Sequence, residues 1–128
     1  MTFNNFHTHT YRCKRATGEV IDYAREACSQ GGRVLGSTDH VALPDNRWLD
    51  VRMSFDELDS YEQAIENARQ NLPQMTIFKG MECEYAEEYH QYFQEELLGH
   101  RQYDYLIGAC HYLPLDGQWL NSFEELHT

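Results

Sequence analysis

Apolar residues in this chain fall into short blocks separated by amphipathic stretches, so that strand-like and helix-like patterns alternate. Phe3 to Thr10 reads as a first strand. Thr17-Gly18 opens a helix through about Gln30, with Val20, Ala24, Ala27 and Cys28 along one side. Gly31-Gly32 stops it, as expected where the chain needs positive φ just beyond a helix end. Val34-Leu35-Gly36-Ser37 is a short buried strand running into Thr38-Asp39-His40, and a loop marked by Pro44-Asp45-Asn46 follows.

Ser54-Phe55-Asp56-Glu57 is a capping box, with Glu57 able to reach back to Ser54. The helix it starts carries Leu58, Tyr61, Ile65, Ala68 and Leu72 as a core-facing stripe, and Pro73 ends it. Met75 to Phe78 is a third strand leading into Gly80-Met81-Glu82. Glu87 to Leu98 is a third, acidic helix bearing Tyr89, Phe93 and Leu97, closed by Gly99. Tyr105 to Gly108 is a fourth strand ending at Cys110-His111. Ser122-Phe123-Glu124-Glu125 reads as a further capping box, the first turn of another helix. The order βαβαβαβ implies a parallel sheet with right-handed crossovers. In such a sheet the strand ends gather on one face, where active sites form.

Composition narrows the function. One hundred and twenty-eight residues suit one compact domain spanning 1–128, and 41% hydrophobic with 13% aromatic content is ample for a core. A net charge of −11 speaks against nucleic acid and anionic membrane surfaces as partners. Met1 to Tyr11 is polar and lacks the apolar stretch of a signal peptide, and nothing approaches a membrane span. A cytoplasmic location follows as the expectation. Cys13, Cys28, Cys83 and Cys110 form no CxxC pair and are expected as reduced thiols, Cys28 as a small core residue. Cys13, Cys83 and Cys110 fall close to motifs, which leaves packing and ligation both open.

The candidate chemistry sits where the strands end. His7 and His9 are two apart on a strand and leave one face, so together they can grip one cation; a buried, hydrogen-bonded pair of histidines is the alternative. His40 and His111 also stand at strand ends, which favours a divalent-metal site. In Asp39-His40 one residue points inward, and His40 is chosen; Asp39 either orients a metal-bound imidazole or caps the next turn. Glu82 and Glu84 share a face, with Glu82 the expected ligand and Glu84 at a solvated rim. His90, His100 and His127 read as surface residues. Arg47, Trp48 and Arg52, in the loop after His40, are either substrate contacts or ordinary loop residues, arginine being suited to a phosphate. The chain has no G-x-S-x-G, P-loop or G-x-G-x-x-G motif.

Taken together, His7-x-His9, Thr38-Asp39-His40, Gly80-x-Glu82 and Gly108-x-x-His111 resemble, in order, the motifs of the PHP (polymerase and histidinol phosphatase) family. The Cys13-Lys14-Arg15-Ala16-Thr17-Gly18 run, Pro44 and Tyr103-Asp104-Tyr105 are similar to its histidinol-phosphatase branch. The resemblance implies the N-terminal half, about four β/α units, of a distorted seven-stranded β/α barrel that is TIM-barrel-like. It implies hydrolysis of a small phosphorylated substrate, L-histidinol phosphate to L-histidinol and phosphate, in histidine biosynthesis. Up to three divalent transition metals, zinc, manganese or iron, would activate the attacking water, with no catalytic side chain apart from the ligands. Carried over by motif, His7 and His9 share one metal with Glu82, Glu82 bridges to a second held by His111, and His40 binds the third. Arg15 stands where many members of the branch carry a further histidine ligand, and with Arg47 and Arg52 it completes the candidate phosphate contacts. The family's later ligands, a histidine and an Asp-x-His, have no counterpart in the 128 residues. Weak or absent activity is therefore expected of a domain truncated on its C-terminal side. Non-catalytic metal binding and an acidic interaction module with structural histidines are the alternatives. Half a barrel leaves unpaired edges, which implies a homo-oligomer that covers them.

Overall fold

Four parallel strands, each leading into helical structure or a loop, form the frame of the protein. A computed structural model describes residues 4–115 and 118–121. The strands are β1 (Asn4–Asn5), β2 (Val34–His40), β3 (Thr76–Glu84) and β4 (Tyr105–Ala109), paired in sequence order. Helix α1 (Val20–Ser29) joins β1 to β2, and α2 (Leu58–Asn71) joins β2 to β3. This sequential, all-parallel order with a helix in each crossover is a half barrel. Among the described residues no helix is long and apolar enough to cross a membrane.

Alternation along the strands separates core from site. Leu35 of β2 and Ile77, Met81 and Cys83 of β3 are buried together with Val20, Ala24 and Ala27 of α1 and Leu58, Tyr61, Ile65 and Ala68 of α2. The intervening positions His40, Glu82 and Glu84 leave the opposite face. Gly31, at φ +84°, terminates the α1 region, as its sequence implies. The Ser54–Glu57 box forms, with Ser54 N donating to Glu57 Oε1 at 3.0 Å, and it opens a 3-10 turn that runs straight into α2. The start of α1 is set by Glu19, whose carboxylate caps the helix while Asp22 reaches back to it. That cap carries a second load. Arg12, 3% exposed, forks onto both Glu19 oxygens at 2.6 and 2.9 Å and reaches Ser60 Oγ of α2 at 3.0 Å.

Several elements differ from the sequence reading. β1 is much shorter, its expected first residue Phe3 lying outside the described residues. Thr8 still holds to β2, donating its N–H to Thr38 Oγ1 and accepting from Thr38 N. Both β2 and β3 run further, through His40 and Glu84, because β3 is paired on both sides and β2 along its whole length. The third helical segment changes winding: 3-10 over Glu87–Tyr89, α over His90–Tyr92 (α3), π over Phe93–His100. Arg101 clamps its end to α2, with 2.8–2.9 Å contacts to Glu96, Asp59 and Glu62. An unforeseen antiparallel hairpin, β5 (Tyr112–Leu115) with β6 (Gln118–Asn121), follows β4. The Ser122–Glu125 capping box lies outside the described residues.

Gly80, in the middle of β3, lets three strands close up. A Cβ there would stand 2.9 Å from Thr38 Cγ2 and 3.0 Å from the backbone oxygen of Tyr105. Gly80→Ala is therefore expected to cost roughly 1–3 kcal/mol by forcing β2 and β4 apart. A denaturant midpoint unchanged from wild type would show that the strands can give.

Candidate metal centre

The ends of the four strands bring four imidazoles around one carboxylate. His7 and His9 follow β1, His40 ends β2, and His111 follows β4. Glu82 of β3 stands directly beside His40 in the parallel register. It is 5% exposed, and its two oxygens face different partners. His7 Nε2 is 2.5 Å and His9 Nε2 3.7 Å from Oε1, whereas His40 Nδ1 is 2.9 Å and His111 Nε2 3.7 Å from Oε2. Two groups of three donors result, His7–His9–Glu82 and His40–Glu82–His111, each with its ligand atoms within 4.8 Å of one another.

The electrostatics follow from this crowding. Burial works to raise the Glu82 carboxyl, yet the imidazoles of His40, His9 and His7 outweigh it and hold the group down at about 2. Glu82 is thus an anion throughout the neutral range. His7 Nε2 and His9 Nε2 approach to 3.1 Å, so their lone pairs repel unless a proton or a cation lies between them.

The donor set fits a metal. Glu82 Oε2 and His9 Nδ1 are buried with no hydrogen-bond partner among the described residues. His40 Nδ1 lies 2.9 Å from Oε2 as an ion-pair contact. Buried polar atoms without a hydrogen bond are costly, and a coordinated cation would satisfy Glu82 Oε2 directly. Imidazole and carboxylate together suit zinc, iron or manganese.

The surroundings hold the ligands in place. Asp39, fully buried, accepts Thr10 N at 3.1 Å and the Thr10 hydroxyl on Oδ2, while Oδ1 accepts His40 N at 3.1 Å and lies 3.4 Å from His9 Nδ1. It therefore anchors the Thr10 segment beside His9 and the end of β2. Cys13 Sγ joins His9 and Asp39 in a third close group of potential ligands. Burial pushes the Cys83 thiol up to about 12, against the pull of Arg52, which makes it a packing residue. Cys28 packs against the core and Cys110 is exposed.

Several site expectations change. Glu84 is 1% exposed and bonded to His111, so it is no solvated rim. Its signal was in the sequence, since it lies two residues beyond Glu82 on the same strand face. His40 lies close enough to Glu82 and His111 to form one group of potential ligands, and its assignment to a cation of its own rests on the resemblance alone. Arg52 is 1% exposed and donates to Val41 O at 3.1 Å, which makes it part of the packing instead of a substrate contact. Arg47 pairs with Glu88 at 2.8 Å, and Arg15 is exposed. His90 and His100 are exposed, and His127 lies outside the described residues. Thr10 and Tyr61, which hold the backbone of the site, were not singled out for it by sequence because nothing in a single threonine or a helix-stripe tyrosine marks its partner.

Comparison with known proteins identifies the family and the fold. Residues 5–127 match the PHP domain family. A Deinococcus radiodurans protein named as a probable histidinol-phosphatase is 34% identical over 116 residues, which are 88% of this chain and 42% of that protein. A crystal structure of a Listeria monocytogenes protein, provisionally assigned as a histidinol phosphatase, superposes with a TM-score of 0.77 at 17% identity, covering 98% of this chain and 51% of that one. That likeness shows the fold. The chain spans about half the length, or less, of these two proteins.

Proposed function

The chain belongs to the PHP domain family, and from that premise we propose that it carries the metal-binding half of a phosphomonoester hydrolase, with L-histidinol phosphate as substrate. The supporting observation is Glu82, a buried anion shared between two groups of imidazoles at the C-terminal ends of parallel strands. A carboxylate so placed can bridge two cations, an arrangement suited to metal-assisted phosphoester cleavage. His7, His9 and Glu82 would hold one cation, and Glu82, His40 and His111 a second. Divalent cations held by these residues would supply charge neutralisation at the phosphate and a more acidic bound water. The substrate name comes from the two relatives, both assigned as histidinol phosphatases.

The 128 residues supply five ligands, and the resemblance implies others that they do not contain. Low turnover with metal retained is the expected behaviour of this chain alone. The test is release of phosphate from histidinol phosphate by purified protein with added manganese or zinc, beside a Glu82→Ala control. Turnover far above that control would overturn the low-activity expectation. Failure to bind any transition metal would overturn the hydrolase reading itself.

A further inference from the structure

Glu84 is buried more completely than Glu82, and the two groups of donors around Glu82 do not include it. A carboxylate at 1% exposure is sustained by hydrogen bonds to it, since an unpaired buried charge is strongly disfavoured. Both its oxygens engage one residue. Oε1 accepts the backbone N–H of His111 at 2.6 Å, and Oε2 lies 2.8 Å from His111 Nδ1. His111 follows the last residue of β4, Ala109, so the ladder that fixes Ala109 opposite Glu84 does not extend to it. Glu84 therefore holds both the backbone and the ring of His111 at this point.

The hold also selects a tautomer. An ionised carboxylate only accepts hydrogen bonds, so the neutral ring carries its proton on Nδ1 and leaves the Nε2 lone pair free. Nε2 is the atom that faces Glu82 Oε2 at 3.7 Å. We propose that Glu84 is a positioning residue: a buried carboxylate that locks the ring and the Nδ1–H tautomer of His111 and so presents Nε2 to a cation. This rests on the reading of His111 as a metal ligand. Histidine ligands held by a carboxylate in this manner gain in orientation and basicity, and loss of the carboxylate costs about 10–100-fold in metal affinity.

Glutamine at position 84 keeps the shape and replaces one oxygen with an amide NH2. With its oxygen on the backbone N–H, that NH2 donates to Nδ1 and drives the ring proton to Nε2, the nitrogen the metal needs. Long-range proton–nitrogen NMR of the metal-free protein at about pH 8, above the ordinary imidazole titration, reads the tautomer directly. The wild type is expected to show His111 protonated on Nδ1, and Glu84→Gln to show a large Nε2–H population. Zinc titrated calorimetrically should bind Glu84→Gln about 10–100-fold more weakly, with Glu84→Asp closer to wild type. A wild-type ring protonated on Nε2 overturns the proposal without any variant having to fold. So does Glu84→Gln with unchanged tautomer and unchanged zinc affinity. If the wild type binds no zinc, the metal reading fails separately, and the role of Glu84 in presenting a ligand falls with it even where the tautomer result holds.

Discussion

Replacing Glu82 with alanine is expected to empty both cation positions at once. Its two oxygens serve separate groups, Oε1 with His7 and His9 and Oε2 with His40 and His111. Removing it takes the shared negative charge from each group and leaves imidazoles alone. The loss should exceed the roughly 100-fold that disturbing an outer-shell partner produces. Glu82→Gln, which keeps the volume without the charge, should behave nearly as badly, because the carboxyl is held ionised by its neighbours. The fold should survive, since Glu82 lies outside the apolar cluster between strands and helices. Calorimetric titration with zinc or manganese reads the result. An affinity within a factor of about 10 of wild type would remove Glu82 from the centre of the site.

Tyr61 has the second large effect, through the strands that carry the ligands. It projects from α2, is fully buried, and its hydroxyl ties three groups together. It pairs with Ser37 Oγ at 2.9 Å, donates to Gly80 O at 2.9 Å and lies 3.3 Å from Asp39 N. Burial pushes its phenol well above the ordinary tyrosine range, so it remains a neutral donor. Tyr61→Phe keeps the ring and orphans buried polar atoms on β2 and β3, a cost of about 1–3 kcal/mol. Tyr61→Ala adds the loss of an aromatic side chain from the core, bringing the cost to at least about 3–5 kcal/mol. Because β2 ends at His40 and β3 carries Glu82, the Phe variant should also bind metal more weakly while still folded. Denaturant midpoints at constant slope measure the stability loss. A Phe variant within about 0.5 kcal/mol of wild type would show that water or local movement satisfies those groups.

The alternation of periods was enough to read four strands, three intervening helical segments and the face on which His7, His9, His40, Glu82 and His111 meet. What it could not supply was length and depth. β3 continues through Cys83 and Glu84 because β4 pairs with it, and no single-strand pattern contains that partner. Buried Asp39, Glu82 and Glu84 look like surface residues to any hydropathy argument, since their burial depends on hydrogen bonds and charges brought from elsewhere in the chain. The arginines after His40 misled for the matching reason: Arg52 reads as a loop cation, yet it turns inward onto Val41 O and the face of Trp48. The hairpin was legible and missed. Asp116-Gly117 between Leu115 and Gln118 is among the strongest short-range hairpin signals.

That five residues from four strand ends form a working metal centre is tested most directly by elemental analysis of the protein, purified without chelator or nickel affinity and dialysed against metal-free buffer. Stoichiometric zinc, manganese or iron per chain, lost in Glu82→Ala, is the predicted result. Trace metal in the wild type, equal to that in Glu82→Ala, would contradict it and leave the imidazole cluster as a structural feature of the fold.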